Sequence, residues 1–232
     1  MINFVFPITC SICGNYLSET DNTRLCNQCI NGINYIKPLY CQLCGIPLPY
    51  GGAHCYNCLH LEKRIYYEYI RGVCVYDGVI KKCIQLFKYH NKDYLSEFLG
   101  SLLVNYIKSD EELSYIDIIV PVPLHCYKKI FRGYNQSELL AKIVAKKINK
   151  TLVVNNLYRK KNTQPQVKLN RNLRIKNVEN AFAIKNSSVF ENKIILVIDD
   201  VCTTGETINQ CAKVLIKSKA RKVYGLTVAR DI

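Results

Sequence analysis

The 232-residue sequence has no apolar run of transmembrane length, because charged or polar residues interrupt every candidate and a spanning helix needs about 20 consecutive apolar residues. Its first stretch, MINFVFPITC, lacks a basic segment and a long apolar core, so no secretory signal is expected. Without either feature the expected location is the cytoplasm, with no membrane partner. Tryptophan is missing, yet every other residue type occurs and 49% of residues are hydrophobic, which excludes a disordered tail. Two phosphate-binding signatures are also missing: the Gly-Lys-Ser/Thr ending of a P-loop and the three spaced glycines of a Rossmann turn. Acidic residues are scarce, 18 against 32 Lys plus Arg, for a formal net charge of +14. The excess is uneven. Residues 1–62 carry two basic and three acidic side chains, and residues 63–232 carry thirty and fifteen. The positive field therefore belongs to the larger part. It suits either a phosphate-rich partner, nucleotide or nucleic acid, or a plain lysine-rich solvated surface.

Cysteine, by contrast, is abundant at 13 residues. Eight cysteines form four C-x2-C pairs: Cys10/Cys13, Cys26/Cys29, Cys41/Cys44 and Cys55/Cys58; the rest are scattered singly, as buried thiols are. Zinc takes four thiolates in a tetrahedron, and one C-x2-C knuckle supplies two of them from a single tight turn. Gly14 and Gly45 follow the first pair of each set, where the knuckle bends back. Second halves follow after 12 and 10 intervening residues, so one pattern occurs twice. Two structural zinc ions are expected, one on Cys10, Cys13, Cys26 and Cys29 and the other on Cys41, Cys44, Cys55 and Cys58, with a cross-braced pairing also open. Residues 1–62 are expected to form a double zinc-ribbon module that draws much of its folding free energy from the metals. His54 and His60 are expected to serve surface or packing roles.

Residues 63–232 read as a second domain. RGVCVYDG predicts a strand and turn, VIKKCIQLFKYH and YLSEFLGSLLVNYIK predict helices, and YIDIIVPVPLH predicts a buried strand stopped by Pro121 and Pro123. RGYNQSELLAKIVAKKINK predicts a loop and an amphipathic helix capped by Ser137 or Asn135. TLVVNNLYR and ENAFAI predict strands, KIILVI a central strand, TINQCAKVLIKS a helix and KVYGLTVAR a last strand. Alternating strands and helices imply a mainly parallel α/β sheet flanked by helices, with ligands beyond the carboxyl ends of the strands.

At such an end lies IILVIDDVCTTGET. Adjacent carboxylates repel, so Asp199 and Asp200 need a cation or hydrogen-bond donors, such as two sugar hydroxyls or a magnesium ion. Thr203, Thr204, Gly205 and Thr207 then open a helix whose first amides and hydroxyls suit a phosphate. Together these groups describe a ribose 5-phosphate site.

An apolar run, two acids and Thr-Thr-Gly-x-Thr resemble the ribose-phosphate motif of type I phosphoribosyltransferases. PVPLH, RGYNQSELL, LYRKKNTQPQVKLNRNLRIKNVENAF and the double C-x-x-C module resemble the ComF family of competence-associated phosphoribosyltransferase-like proteins, over nearly the whole chain. The resemblance implies a type I phosphoribosyltransferase-like fold binding phosphoribosyl pyrophosphate (PRPP) with magnesium. Asp199 and Asp200 would then face the ribose hydroxyls and the magnesium, while Cys202, Thr203, Thr204, Gly205, Glu206 and Thr207 form the 5-phosphate loop. Pro123 and Leu124 would lie in the pyrophosphate turn, and Arg132 and Lys128 would follow it toward the pyrophosphate, Lys128 being equally readable as a surface charge. The segment from Arg159 to Lys176 holds seven basic residues, Arg159 and Lys161 among them, and no acid. It matches the loop that closes over PRPP, with Thr163, Gln164 and Gln166 near its tip. Lys128 stands where the family has arginine. Glu206 replaces a small residue and must point outward, and Cys202 replaces an aliphatic one. Three roles follow from the resemblance: a pentosyl transferase in DNA uptake, a factor binding single-stranded DNA and a competence helicase, or a PRPP sensor without turnover.

Overall fold

The computed structural model describes residues 8–18, 23–125, 127, 130, 132–161 and 178–232. In chain order the described elements begin with α1 (Asn27–Asn31) and α2 (Tyr56–Leu59) in the cysteine module, then β1 (Ile70–Val75), α3 (Gly78–Tyr89), α4 (Leu95–Ser109) and α5 (Glu111–Ser114). They continue with β2 (Ile118–Pro121), α6 (Gln136–Ile148), β3 (Thr151–Leu152), β4 (Leu157–Arg159) and β5 (Phe182–Ile184), and end with β6 (Ile194–Cys202), α7 (Glu206–Lys217) and β7 (Lys222–Arg230).

Five strands form one sheet in the order β1-β7-β6-β2-β3, and every pairing is parallel. Alternation along β6 explains the two layers around it. Leu196 and Ile198 join a buried cluster with Ile84 of α3, Leu99 of α4 and Leu140 and Val144 of α6. Ile195 and Val197 join another with Ile208, Cys211 and Leu215 of α7. Side chains of period two thus meet helix stripes of period 3.6 on both faces, as a parallel sheet requires. The TLVVNNLYR stretch departs from the expected single strand. It splits into β3, at the sheet edge, and β4, which pairs antiparallel with β5 in a separate ribbon. Asn155, at φ +61°, turns the chain between them.

The cysteine module is built onto the sheet. Ile36 N–H donates to the Val73 carbonyl and Val75 N–H to the Asn34 carbonyl, so residues 34–36 extend the sheet along the free edge of β1. Ile70 N–H donates to the Leu43 carbonyl inside the second knuckle, and Arg71 donates to the Gln42 carbonyl. Leu25, Cys29 and Ile33 are buried in the cluster that holds Cys83 and Phe87 of α3. A module too small for its own core borrows one from its neighbour.

Gly45 marks the closest approach. It sits at φ +71°, and a Cβ there would lie 2.6 Å from the Ile70 carbonyl oxygen. Gly45→Ala is expected to cost about 2 kcal/mol or more, from the left-handed backbone and the clash together. Denaturant unfolding of the variant would show a lowered midpoint, and an unchanged midpoint would mean that this contact is loose.

Candidate ribose-phosphate cleft and zinc ribbons

The two cysteine sets are separate. The ligand atoms of Cys10, Cys13, Cys26 and Cys29 lie within 4.8 Å of one another, as do those of Cys41, Cys44, Cys55 and Cys58, so the pairing is sequential and not cross-braced. Sulfur–sulfur distances of 3.7 Å (Cys10–Cys29), 3.5 Å (Cys13–Cys26) and 3.7 Å (Cys44–Cys55) approach the edge of about 3.8 Å expected for a Zn–S tetrahedron. Burial opposes ionisation of Cys41, yet the amides of the knuckle hold its thiol down at about 6. Burial pushes Cys44 up to about 12, with the Cys41 and Cys55 charges adding to it. Four thiols this close cannot all ionise without a dication among them, and the donor set therefore fits structural zinc. His54 lies beside this set, its Nδ1 3.9 Å from the Cys41 sulfur, and His60 packs on Tyr56.

The cleft at the carboxyl end of the sheet arises from unequal strand lengths. β2 pairs with β6 only as far as Pro121 opposite Ile198, whereas β7 continues to Arg230 opposite Cys202. Asp199 and Asp200 therefore do not follow the strand, as the apolar run suggested, but lie within it, past the end of its β2 neighbour. Val122 N–H makes the last bond, to the Ile198 carbonyl. The Asn135 side chain then holds the turn by donating to the Val122 carbonyl at 3.0 Å. Asn135 is also the cap of α6, accepting from Ser137 N–H. That leaves the Ser137 hydroxyl to donate to Asp199 Oδ1 at 2.7 Å. Asp200 pairs instead with Lys88 of α3, whose Nζ lies 2.8 Å from its Oδ1.

Burial, and then the Asp200 charge, push Asp199 up to about 7, against the Ser137 hydroxyl, Lys88 and the Asp200 amide. Burial also works against the charge on Lys88, but Asp200 and Asp199 outweigh it and raise its pKa above the ordinary lysine value. The two acids thus meet different partners, a hydroxyl for Asp199 and an ammonium for Asp200.

A cleft of ≈ 400 Å³ gathers Asp199, Asp200, Thr203, Thr207, Pro123, Leu124, Arg132 and Arg159, together with Lys88, Tyr89 and Ser137. Arg132 lies over the Tyr89 ring and donates to the Gln136 side chain. Arg159, on β4, stacks on Phe182, and burial lowers its pKa. Thr204, Gly205 and Glu206 face a neighbouring cavity of ≈ 520 Å³ between the loop and the second ribbon, to which Thr203 also contributes. The loop from Thr203 to Thr207 is therefore a wall with the cleft on one side and the zinc module on the other. Gly205 starts α7 at φ +77°, where a Cβ would press on Ile70.

Glu206 turns away from the cleft, but into the interior and not to solvent. It is 3% exposed, pairs with Lys63 and accepts from Gln210. Its charge is thereby neutralised by Lys63, which follows the second cysteine set. The Cys202 side chain is buried beneath the loop and accepts from Arg230, so only its backbone belongs to the cradle. Lys161 is exposed and donates to the Glu179 carbonyl, apart from the cleft residues. Lys128 and residues 162–177, which include Thr163, Gln164, Gln166 and most of the basic segment, lie outside the described residues.

Sequence reasoning missed Lys88. The available signal was its place on the Ile80–Ile84–Lys88 stripe of α3, where i, i+4 spacing puts a lysine in line with two buried isoleucines.

Residues 1–59 match the family described as double zinc ribbon domain, and residues 135–231 match the phosphoribosyl transferase domain. Competence protein F of Haemophilus influenzae is 32% identical over 99% of this chain and 100% of its own length. The DNA utilization protein YhgH of Escherichia coli is 27% identical over 90% of this chain and 91% of that one. Competence protein ComFC of Bacillus subtilis is 26% identical over 98% and 97%. Among solved structures, the allosteric regulatory enzyme of purine biosynthesis overlaps 56% of this chain and 25% of that one at 17% identity and a TM-score of 0.38. A double zinc ribbon joined to a phosphoribosyltransferase-like sheet, with a full-length relative above 30% identity, makes the chain a member of the competence protein F (ComF) family.

Proposed function

We propose that the protein binds PRPP, or a related ribose 5-phosphate ligand, in this cleft and acts in DNA uptake during natural transformation. One observation carries the reading: β6, the α7 loop, the turn after β2 and β4 bring two carboxylates, two threonines and two arginines to one cleft. Carboxylates accept from sugar hydroxyls, and the amides and hydroxyls of a helix start receive a phosphate. Arg132 and Arg159 supply planar forks for the oxygens of a diphosphate. Magnesium enters as part of that diphosphate substrate. Zinc stays structural, since four thiolates leave no open position. The DNA role is supported by the names of the relatives, which concern competence and DNA utilization.

In the enzymatic form of this reading, a nitrogen nucleophile attacks ribose C1 and the C1–O bond to pyrophosphate breaks. Arg132 and Arg159 stabilise the charge on the departing group, and no proton-transferring residue need carry most of the rate. A screen of nucleobases and amines for pyrophosphate release from PRPP tests it. Release with at least one acceptor, reduced about 10²-fold or more in Arg132→Ala, is expected of a transferase. Binding of PRPP without release from any acceptor indicates a sensor.

A second reading, single-stranded DNA bound by the same surface, is favoured by two exposed tyrosines, Tyr89 at the cleft and Tyr127 after the β2 turn. Exposed aromatic faces beside cations stack on bases. The Tyr134 hydroxyl donates to the Phe87 carbonyl, and its ring packs on Phe87, so this tyrosine serves the core.

A further inference from the structure

The acidic pair already has a cation. Lys88 and Asp200 meet at 2.8 Å with side chains only 19% and 9% exposed, so the pair is shielded from water and its attraction is stronger than that of a surface pair. The four carboxylate oxygens can be accounted for individually. Asp200 Oδ1 takes Lys88, and Asp199 Oδ1 takes both the Ser137 hydroxyl and the Asp200 amide. Among the described residues, Oδ2 of each aspartate has no hydrogen-bond partner. With Asp199 ionised, above its pKa of about 7, these are two acceptors on adjacent residues for the two donors of a vicinal diol. Magnesium, which one or two carboxylates and water can hold, would meet the Lys88 ammonium 2.8 Å from one of them.

We propose that Lys88 is a specificity-determining residue: by occupying the cation position at Asp200 it makes the acidic pair a metal-free receptor for the vicinal hydroxyls of a sugar phosphate, and it confines magnesium to the diphosphate end of the ligand. The inference rests on the ribose-phosphate reading and deepens it. Lys88 reaches the pair from α3, ahead of residues 135–231 that match the phosphoribosyl transferase domain.

The full-length zinc-loaded protein tests this in two arms. In calorimetry, ribose 5-phosphate, which has no diphosphate, is titrated in magnesium-free buffer and in excess magnesium. Wild-type affinity should agree within about twofold between the two. Lys88→Met should lose about tenfold or more without magnesium and regain it with magnesium, as expected for loss of one charge-assisted contact. Lys88→Arg keeps the cation and should behave as wild type, which separates charge from folding defects. In the second arm, manganese alone is titrated and followed by electron paramagnetic resonance. The ion should bind Lys88→Met and not the wild type. Wild-type affinity that requires magnesium, or manganese held by the wild type and lost in Asp200→Asn, would overturn the proposal, as would manganese bound by neither protein. Failure of ribose 5-phosphate to bind under any condition would remove the ligand reading, while the manganese arm would still judge Lys88.

Discussion

Asp199→Asn combined with Asp200→Asn is expected to weaken PRPP binding by about 10²–10⁴-fold in calorimetry above the Asp199 pKa of about 7, where both carboxylates are charged. Each carboxylate is assigned a sugar hydroxyl, and a hydrogen bond to a charged group is worth about 1.5–3 kcal/mol, with tenfold in affinity for every 1.4 kcal/mol. Asparagine is the right replacement because the site is not merely acidic. Alanine at position 200 would leave the Lys88 ammonium without its 2.8 Å partner, and breaking a buried pair from one side costs about 3–5 kcal/mol of stability. An alanine variant could therefore lose binding by losing its fold, whereas asparagine keeps an oxygen opposite Lys88. Unchanged affinity in the double asparagine variant would remove the acidic pair from the site.

The other large effect concerns zinc. Metal analysis should give about two ions per chain, and Cys41→Ser with Cys44→Ser should give about one. A structural tetrathiolate site contributes an apparent 10–16 kcal/mol in small peptides, comparable to or larger than the whole stability of a typical domain. Because Leu43 accepts from Ile70 of β1 and Gly45 sits against the Ile70 carbonyl, loss of the second ion should reach beyond the ribbon. The expected signs are a lower melting temperature and faster hydrogen exchange at the Ile70 amide. The Val75 amide, bonded to Asn34 between the two cysteine sets, should be less affected. Full exchange protection at Ile70 in the variant would mean that the ribbon is an independent bead on the sheet.

These effects also show how far the sequence could be read. Cysteine spacing located both metal sites because a C-x2-C knuckle is a local structure that needs no tertiary context. It left the pairing open, since either scheme satisfies the same turns, and only the distances between sulfurs decide it. The order of strands and helices followed from apolar periodicity, as did the apolar core of β6. The length of β6 did not follow, because Asp199 and Asp200 remain laddered to Thr227 and its neighbours on β7 after β2 has ended. Polar residues inside a strand cannot be told from a turn until its neighbours are known. The TLVVNNLYR stretch failed for a related reason: the left-handed Asn155 breaks an otherwise strand-like run.

Ser137 and Glu206 illustrate a different limit. Ser137 was readable as a cap, but Asn135 takes that role and leaves the serine hydroxyl to Asp199. Glu206 was expected to face outward because a carboxylate opposes a phosphate. The repulsion is met instead by Lys63, which lies 143 residues away in sequence. Partners at that separation are invisible to local pattern, and the same holds for Lys88 and Asp200.

A crystal structure of the zinc-loaded protein with ribose 5-phosphate tests the central claim most directly. The phosphate should lie against the loop from Thr203 to Thr207, with the two ring hydroxyls on Asp199 and Asp200. A sugar phosphate held elsewhere, or bound with its hydroxyls away from both aspartates, would contradict it.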